Sequence, residues 1–260
     1  FVIGDTPLRL PSDATSLLNW GTNAALVTDN GDDGIVSYDE YCAVYYPNGF
    51  TTDLGGANAV VPASHMMLKT IALSDQVSYP WFAPAGTRRG GITNATAVGY
   101  IDDEGEFTAV ALNNGQRDTL YANKMNPLVN FPGTGLVVFG QKTMLKAPSA
   151  FDRVNVRRTF LYLEKIVKSV MKFFLFENNT VFTRTRVVNT LTPFFQRVKA
   201  ADGLYDFLIV CDERNNTPEV IDNNELVVDI YLKPVRTAEF ILVNFYATRT
   251  DTNFQELVGG

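Results

Sequence analysis

The sequence holds one histidine, His65, and two cysteines, Cys42 and Cys211, among 260 residues. A metal site built from two or three histidines of one chain is therefore excluded. Two thiols so far apart make neither a disulfide framework nor a zinc site, and each reads as a small buried apolar residue. A Cys-His or Ser-His pair would have to use His65 itself. Its neighbours, Met66, Met67 and Leu68, mark it as structural. No apolar run approaches the length of a membrane span, and no signal peptide, internal repeat or low-complexity tract is visible. The first residue is Phe1, which reads as the start of a fragment or a processed product.

What is present is a globular composition, 46% hydrophobic and 19% charged, long enough for one large domain or two smaller ones. The net charge of −6 hides a segregation. Residues 1–140 carry 6 basic and 14 acidic side chains, residues 141–200 carry 12 and 3, and residues 201–260 carry 4 and 11. Such blocks suit docking between copies or onto an acidic partner, and the plain alternative is a pair of solvated basic helices. The basic block has no recognisable nucleic-acid-binding motif and the sequence pI is about 4.9, so nucleic acid is not expected as the partner.

Residues 145–179 are the most informative stretch. Ser149 reads as an N-cap after Pro148, with Asp152 in the place of a capping-box acid. Val156, Phe160, Leu163, Val167, Val170 and Phe174 then recur at spacings of four and three, one face of a long helix. Arg153, Arg157, Arg158, Lys165, Lys168 and Lys172 fall largely off that stripe, and the helix is expected to run into an apolar strand. A second helix is predicted over 181–200, with Val187, Val188, Leu191, Phe194, Phe195 and Val198 inward. Pro193 should kink or divide it, and Gly203 should stop it.

Around this pair the pattern is β-rich. Residues 42–46 read as a strand ended by a Pro47-Asn48-Gly49 turn, with a loop over 51–58 and a helix after Pro62. Residues 79–92, crowded with Pro, Gly and aromatics, read as an ordered loop pinned by Trp81 and Phe82. A short helix is expected over 113–122, and strands over 125–129, 135–140, 204–211, 226–232 and 240–247.

The short motifs give little chemistry. Residues 131–140 carry glycines but lack the Lys-Ser/Thr of a phosphate loop. Residues 86–91 read as a turn with exposed arginines, and 102–106 as a solvated acidic turn. In residues 29–40, Asp29, Asp33, Gly34 and Glu40 fit positions 1, 5, 6 and 12 of a calcium loop, but Gly31 supplies no side-chain ligand and the preceding helix is poor. An acidic surface turn is the simpler reading, and no enzyme activity, cofactor or metal is expected.

One ordered series of motifs carries a family resemblance. It runs through Trp81-Phe82-Ala83-Pro84-Ala85-Gly86, Asn126-Pro127, Phe131-Pro132-Gly133, Ala150-Phe151-Asp152-Arg153-Val154-Asn155-Val156-Arg157-Arg158 and Leu163-Glu164-Lys165. It continues with Val210-Cys211-Asp212, Asn215-Asn216-Thr217-Pro218, Asp229-Ile230-Tyr231-Leu232-Lys233-Pro234 and Phe254-Gln255-Glu256-Leu257-Val258-Gly259. This series resembles the C-terminal part of the tail sheath protein of contractile-tailed bacteriophages, densely over residues 60–260. The resemblance implies an α+β fold with a mixed β-sheet flanked by helices. It divides the chain into 1–60, part of a preceding sheath domain or insertion, a core domain over 61–250, and a C-terminal arm over 251–260.

It also implies a structural role in the virion, with the protein assembled in the host cytoplasm. Subunits would polymerise around a tail tube and contract to drive it through the host envelope, without direct membrane insertion. Neighbouring sheath subunits, the tail tube protein, the baseplate and the tail terminator are the implied partners. Phe254, Gln255, Glu256, Leu257 and Val258 would be an exchanged strand. Arg184, Arg186, Arg197 and Lys199 would face the tube. For Arg153, Arg157 and Arg158 two roles stand open, packing between subunits or buried ion pairs within the fold. A bacteriocin- or secretion-type sheath shares these mechanics, and a calcium-binding module is the distant alternative.

Overall fold

A computed structural model describes residues 1–22, 39–145, 147–239 and 241–243. In chain order these form β1 (Val2–Asp5), α1 (Ala14–Thr22), β2 (Cys42–Tyr46), β3 (Asn48–Thr52), β4 (Asn58–Val61), α2 (Ala63–Val77), α3 (Gly86–Arg89), β5 (Ala97–Ile101) and β6 (Phe107–Ala109). Then come α4 (Asn114–Ala122), β7 (Met125–Phe131), β8 (Gly135–Val138), α5 (Val154–Met171), α6 (Val181–Ala200), β9 (Leu204–Val210), α7 (Pro218–Asp222) and β10 (Asp229–Pro234).

Two four-stranded sheets make the body. One has the order β1-β2-β7-β8, with parallel pairing from β1 to β2 and from β2 to β7. The other is antiparallel throughout, in the order β4-β3-β5-β6. The chain steps from the first sheet into the second across a cis Tyr46–Pro47 peptide. Asn48 and Gly49 of the expected turn thus open β3, and only Pro47 stays in a bend. Asn48 is buried there, donating to the Thr6 carbonyl and accepting from the Ala63 amide. Gly49 lies against α2, where an added Cβ would sit 2.5 Å from the Met66 sulfur. The expected boundary at residue 60 falls within β4, and strands on both sides of it share both sheets.

The apolar run of β2 follows from burial on both faces. Ala43 and Tyr45 join one core with Met66, Met67, Val98, Leu128 and Val138. Val44 and Tyr46 join a second with Leu17, Trp20, Leu120, Met125 and Val129. The short helix α4 carries a full capping box, in which the Asn113 and Gln116 side chains bond each other's backbone amides.

The third core lies elsewhere. Leu163, Phe174, Val187, Leu191, Phe195, Val198 and Leu204 pack with Trp81, under the inward residues Phe207, Ile209, Ile230 and Leu232 of the β9–β10 pair. Trp81 joins this layer to the loop before α3, because its indole N–H donates to the Ala201 carbonyl at 2.8 Å. In the same loop, the Trp81 carbonyl accepts from the Asn155 side chain at 3.2 Å.

Two helix expectations need correction. Ser149 does cap, but it accepts from Phe151 at the start of a 3-10 turn over Ala150–Asp152. The α-helix begins only after Arg153, which offers it no side-chain cap. Its far end tightens into a second 3-10 turn, Lys172–Phe174, and reverses at Phe176 with φ 67° instead of entering a strand. Phe173, Leu175 and Phe176 stay exposed, and among the described residues no strand pairs with them.

The second helix, α6, spans the predicted residues and passes undivided through Pro193. Pro193 lies on the exposed side, where water can donate to the carbonyl that its missing N–H leaves free. Asp202 turns with φ 59°, and the Gly203 amide closes back on the Val198 carbonyl at 2.9 Å. A Cβ on Gly203 would meet Val198 at 2.6 Å, so glycine is required at this stop.

Candidate assembly interface

His65 is exposed on α2. Cys42 and Cys211 are free thiols, and burial raises the pKa of both. Among the described residues, no group of three or more His, Cys, Asp or Glu side chains is placed to hold a metal ion. Residues 29–38 of the calcium-like stretch lie outside the described residues. Its last position, Glu40, forms an ion pair with Arg157 at 3.3 Å.

Arg153, just ahead of α5, and Arg157 and Arg158 within it each reach a carboxylate far away in sequence. Arg153 donates from Nε to Glu239 at 2.6 Å and pairs with Asp152 at 3.0 Å. Arg157 is only 4% exposed, pairs with Glu40, and lies over the Tyr41 ring at 3.7 Å. Arg158 donates to Asp75 of α2 at 2.5 Å. The first turn of α5, Val154 to Arg157, is buried all round. This explains how arginines near a positive helix end are tolerated, since each is matched by a carboxylate. The partners Glu40, Asp75 and Glu239 escaped sequence reasoning, because no periodic pattern links residues that meet only by tertiary folding.

The α6 cations divide. Arg184 is 6% exposed and donates to the Asn216 carbonyl at 3.5 Å, within the subunit. Lys199 reaches Asp206 on β9 at 2.9 Å, and this hydrogen bond lowers the Asp206 pKa. Arg186 and Arg197 are both exposed. Eleven residues apart, they are about 20° apart around the helix, so both lie on one outward face.

The most incomplete element is the β9–β10 pair. It is a two-stranded antiparallel sheet, in register from Asp229 opposite Val210 to Lys233 opposite Asp206. Its inner face is packed, and Leu208 and Tyr231 stand opposite each other on the outer face, both exposed. Among the described residues neither strand has a second partner, so both outer edges carry unpaired backbone groups. The turn between the strands is held by Asn215 and Asn216. Asn216 is buried and pairs through its amide with both the N–H and the carbonyl of Val227. The pair is therefore built firmly, yet it is only two strands wide. Residues 254–258, the expected exchanged strand, lie outside the described residues.

The comparisons with known proteins converge on one family. Residues 146–248 match the model of the phage tail sheath C-terminal domain. The tail sheath protein of Vibrio phage KVP40 is 42% identical over 202 residues, 78% of this chain and 29% of that protein. That of Enterobacteria phage T4 is 37% identical over 245 residues, 94% of this chain and 35% of that protein. The chain thus spans about a third of the length of the curated relatives it matches. Among solved structures, the sheath complex of an extracellular contractile injection system in its contracted state aligns with TM-score 0.71 at 25% identity, over 95% of this chain and 63% of that one. The helical sheath of the anti-feeding prophage, also contracted, aligns with TM-score 0.69 at 22% identity, over 95% and 70%, and this likeness concerns the fold. The chain belongs to the phage tail sheath family.

Proposed function

We propose that this chain is the assembly-forming part of a contractile tail sheath subunit. The subunit polymerises helically around a tail tube, and the sheath contracts to drive the tube through the host envelope. The observation that carries this reading is the two-stranded β9–β10 sheet, with a packed inner face and unpaired edges. A two-stranded pair is marginal alone, and an added strand from another copy supplies main-chain hydrogen bonds that survive rigid-body reorientation. Residues 254–258, in the arm over 251–260, are the strand proposed for exchange.

The role is structural, and the work comes from subunit packing instead of a bound nucleotide. Baseplate and tail terminator are the proposed partners at the two ends, with assembly in the host cytoplasm and residence in the virion. For the tube, Arg186 and Arg197 are the best placed of the four α6 cations, because Arg184 is buried and Lys199 is bonded to Asp206. A phage sheath is favoured over a related injection machine, since the phage relatives are the more similar in sequence.

Deleting residues 253–260 tests the reading. The truncated full-length protein is expected to stay folded by circular dichroism and to form no tubular polymer by electron microscopy. Tubes formed as readily as by the parent protein would refute strand exchange through this segment.

A further inference from the structure

We infer that Glu239 is a positioning residue, a clasp that ties the chain leaving β10 to the start of α5. Its mechanical role rests on the assembly reading above. After Pro234 the segment has little else to hold it. The Val235 amide reaches the Gly203 carbonyl at 3.5 Å, and Arg236, Thr237 and Ala238 are exposed. Cavities of about 220 and 290 Å³ flank it, the first against Phe139 and Tyr121, the second against Ala150 and Val156. Packing therefore does not fix its path.

Glu239 does. Its side chain is 15% exposed, and one carboxylate oxygen accepts from Arg153 Nε at 2.6 Å and from Gln141 Nε2 at 3.1 Å. The Tyr121 phenol lies in the same cluster, its pKa raised by burial and by this carboxylate. The receiving corner is itself rigid. Val154 N donates to the Gln141 carbonyl at 2.8 Å, Thr143 N to the Asp152 carbonyl at 3.1 Å, and Lys142 bridges to Arg153. A charge-assisted hydrogen bond of this kind is roughly twice as strong as a neutral one.

Its position gives it a task. The chain continues from Glu239 to residue 260. Tension arriving from that side would otherwise peel β10 from β9 one ladder bond at a time, starting at the register shift between Lys233 and Pro234. The clasp diverts the tension into the α5 corner and leaves β10 unloaded until the ion pair parts.

Hydrogen exchange on the full-length protein tests this, comparing Glu239→Ala and Glu239→Gln with the parent. In Glu239→Ala, the Val235 amide, bonded to the Gly203 carbonyl, should exchange about tenfold faster or more, with β7 and β8 and the melting temperature unchanged. Glu239→Gln, which keeps an acceptor but no charge, should fall between. Unchanged exchange at Val235 overturns the clasp, and so does a uniform loss of protection with a lower melting temperature, which marks an ordinary stabilising contact. Polymers of Glu239→Ala should also break more readily under shear, and equal resistance overturns the tension role. If the parent forms no polymer, the assembly reading fails while the exchange result still judges the clasp.

Discussion

The body and the C-terminal layer are built from similar residues but finished differently. In the body, the β2 strand is covered on both faces, and β1 and β7 pair with its two edges. In the C-terminal layer, two helices and Trp81 cover one face of a sheet only two strands wide. The body's sheets have central strands paired along both edges, whereas each strand of the two-stranded C-terminal sheet leaves one edge that another chain can fill. Helix α5 belongs to both: the arginines in and just ahead of it tie to Glu40, Asp75 and Glu239, while Leu163 sits in the third core.

The largest expected effect separates the two regions. Phe195→Ala removes a fully buried ring from the third core and should cost about 3–5 kcal/mol. Hydrogen exchange should show β9 and β10 opening while β7 and β8 keep their protection. Leu128→Ala, in the body, should cost about 2–5 kcal/mol and expose β7 and β8 instead. If both variants open both regions equally, the contrast between them fails.

A smaller effect probes the seam. Glu40→Ala leaves Arg157 buried without its charge partner and should cost about 1–3 kcal/mol by denaturant titration. Adding Arg157→Met, which keeps much of the packing over Tyr41, should recover most of that loss. A double variant no more stable than Glu40→Ala would contradict the pairing account.

The smallest effect is a pH response. Hydrogen bonds from Lys199 to Asp206 and from Arg214 to Asp212 lower both carboxyl pKa values in the folded chain. A lowered carboxyl contributes stability that is present above its unfolded pKa and lost as pH falls through its folded one. Acidification below about pH 4 should therefore loosen the Lys199–Asp206 tie between α6 and β9, read as increased exchange at the start of β9. Asp206→Asn should remove that acid response.

Local patterns were legible where local physics decides. The spacing of Val187, Leu191, Phe195 and Val198 placed α6, while the left-handed turn past its end falls on Asp202, one residue before the expected Gly203. The α+β class came from the family resemblance, and the observed mixed and antiparallel sheets with helices agree with it. What sequence did not show was long-range. The parallel pairing of Val2–Asp5 with Cys42–Tyr46 leaves no periodic trace. Pro47-Asn48-Gly49 carries every local mark of a turn, but Asn48 is held in a strand by Thr6 and Ala63. The apolar residues after Phe174 have strand composition and no partner strand within the described residues, so they stay in a turn. For Arg153, Arg157 and Arg158 the sequence left packing between subunits and ion pairs within the fold both open, because their carboxylates lie up to 117 residues away in the chain.

A cryo-electron map of the assembled polymer, traced through the main chain around β9 and β10, decides the account. It predicts a strand from a neighbouring copy, residues 254–258, paired along an outer edge of that sheet. Edges left bare in the polymer, or covered by the same subunit's own residues 254–258, would contradict it.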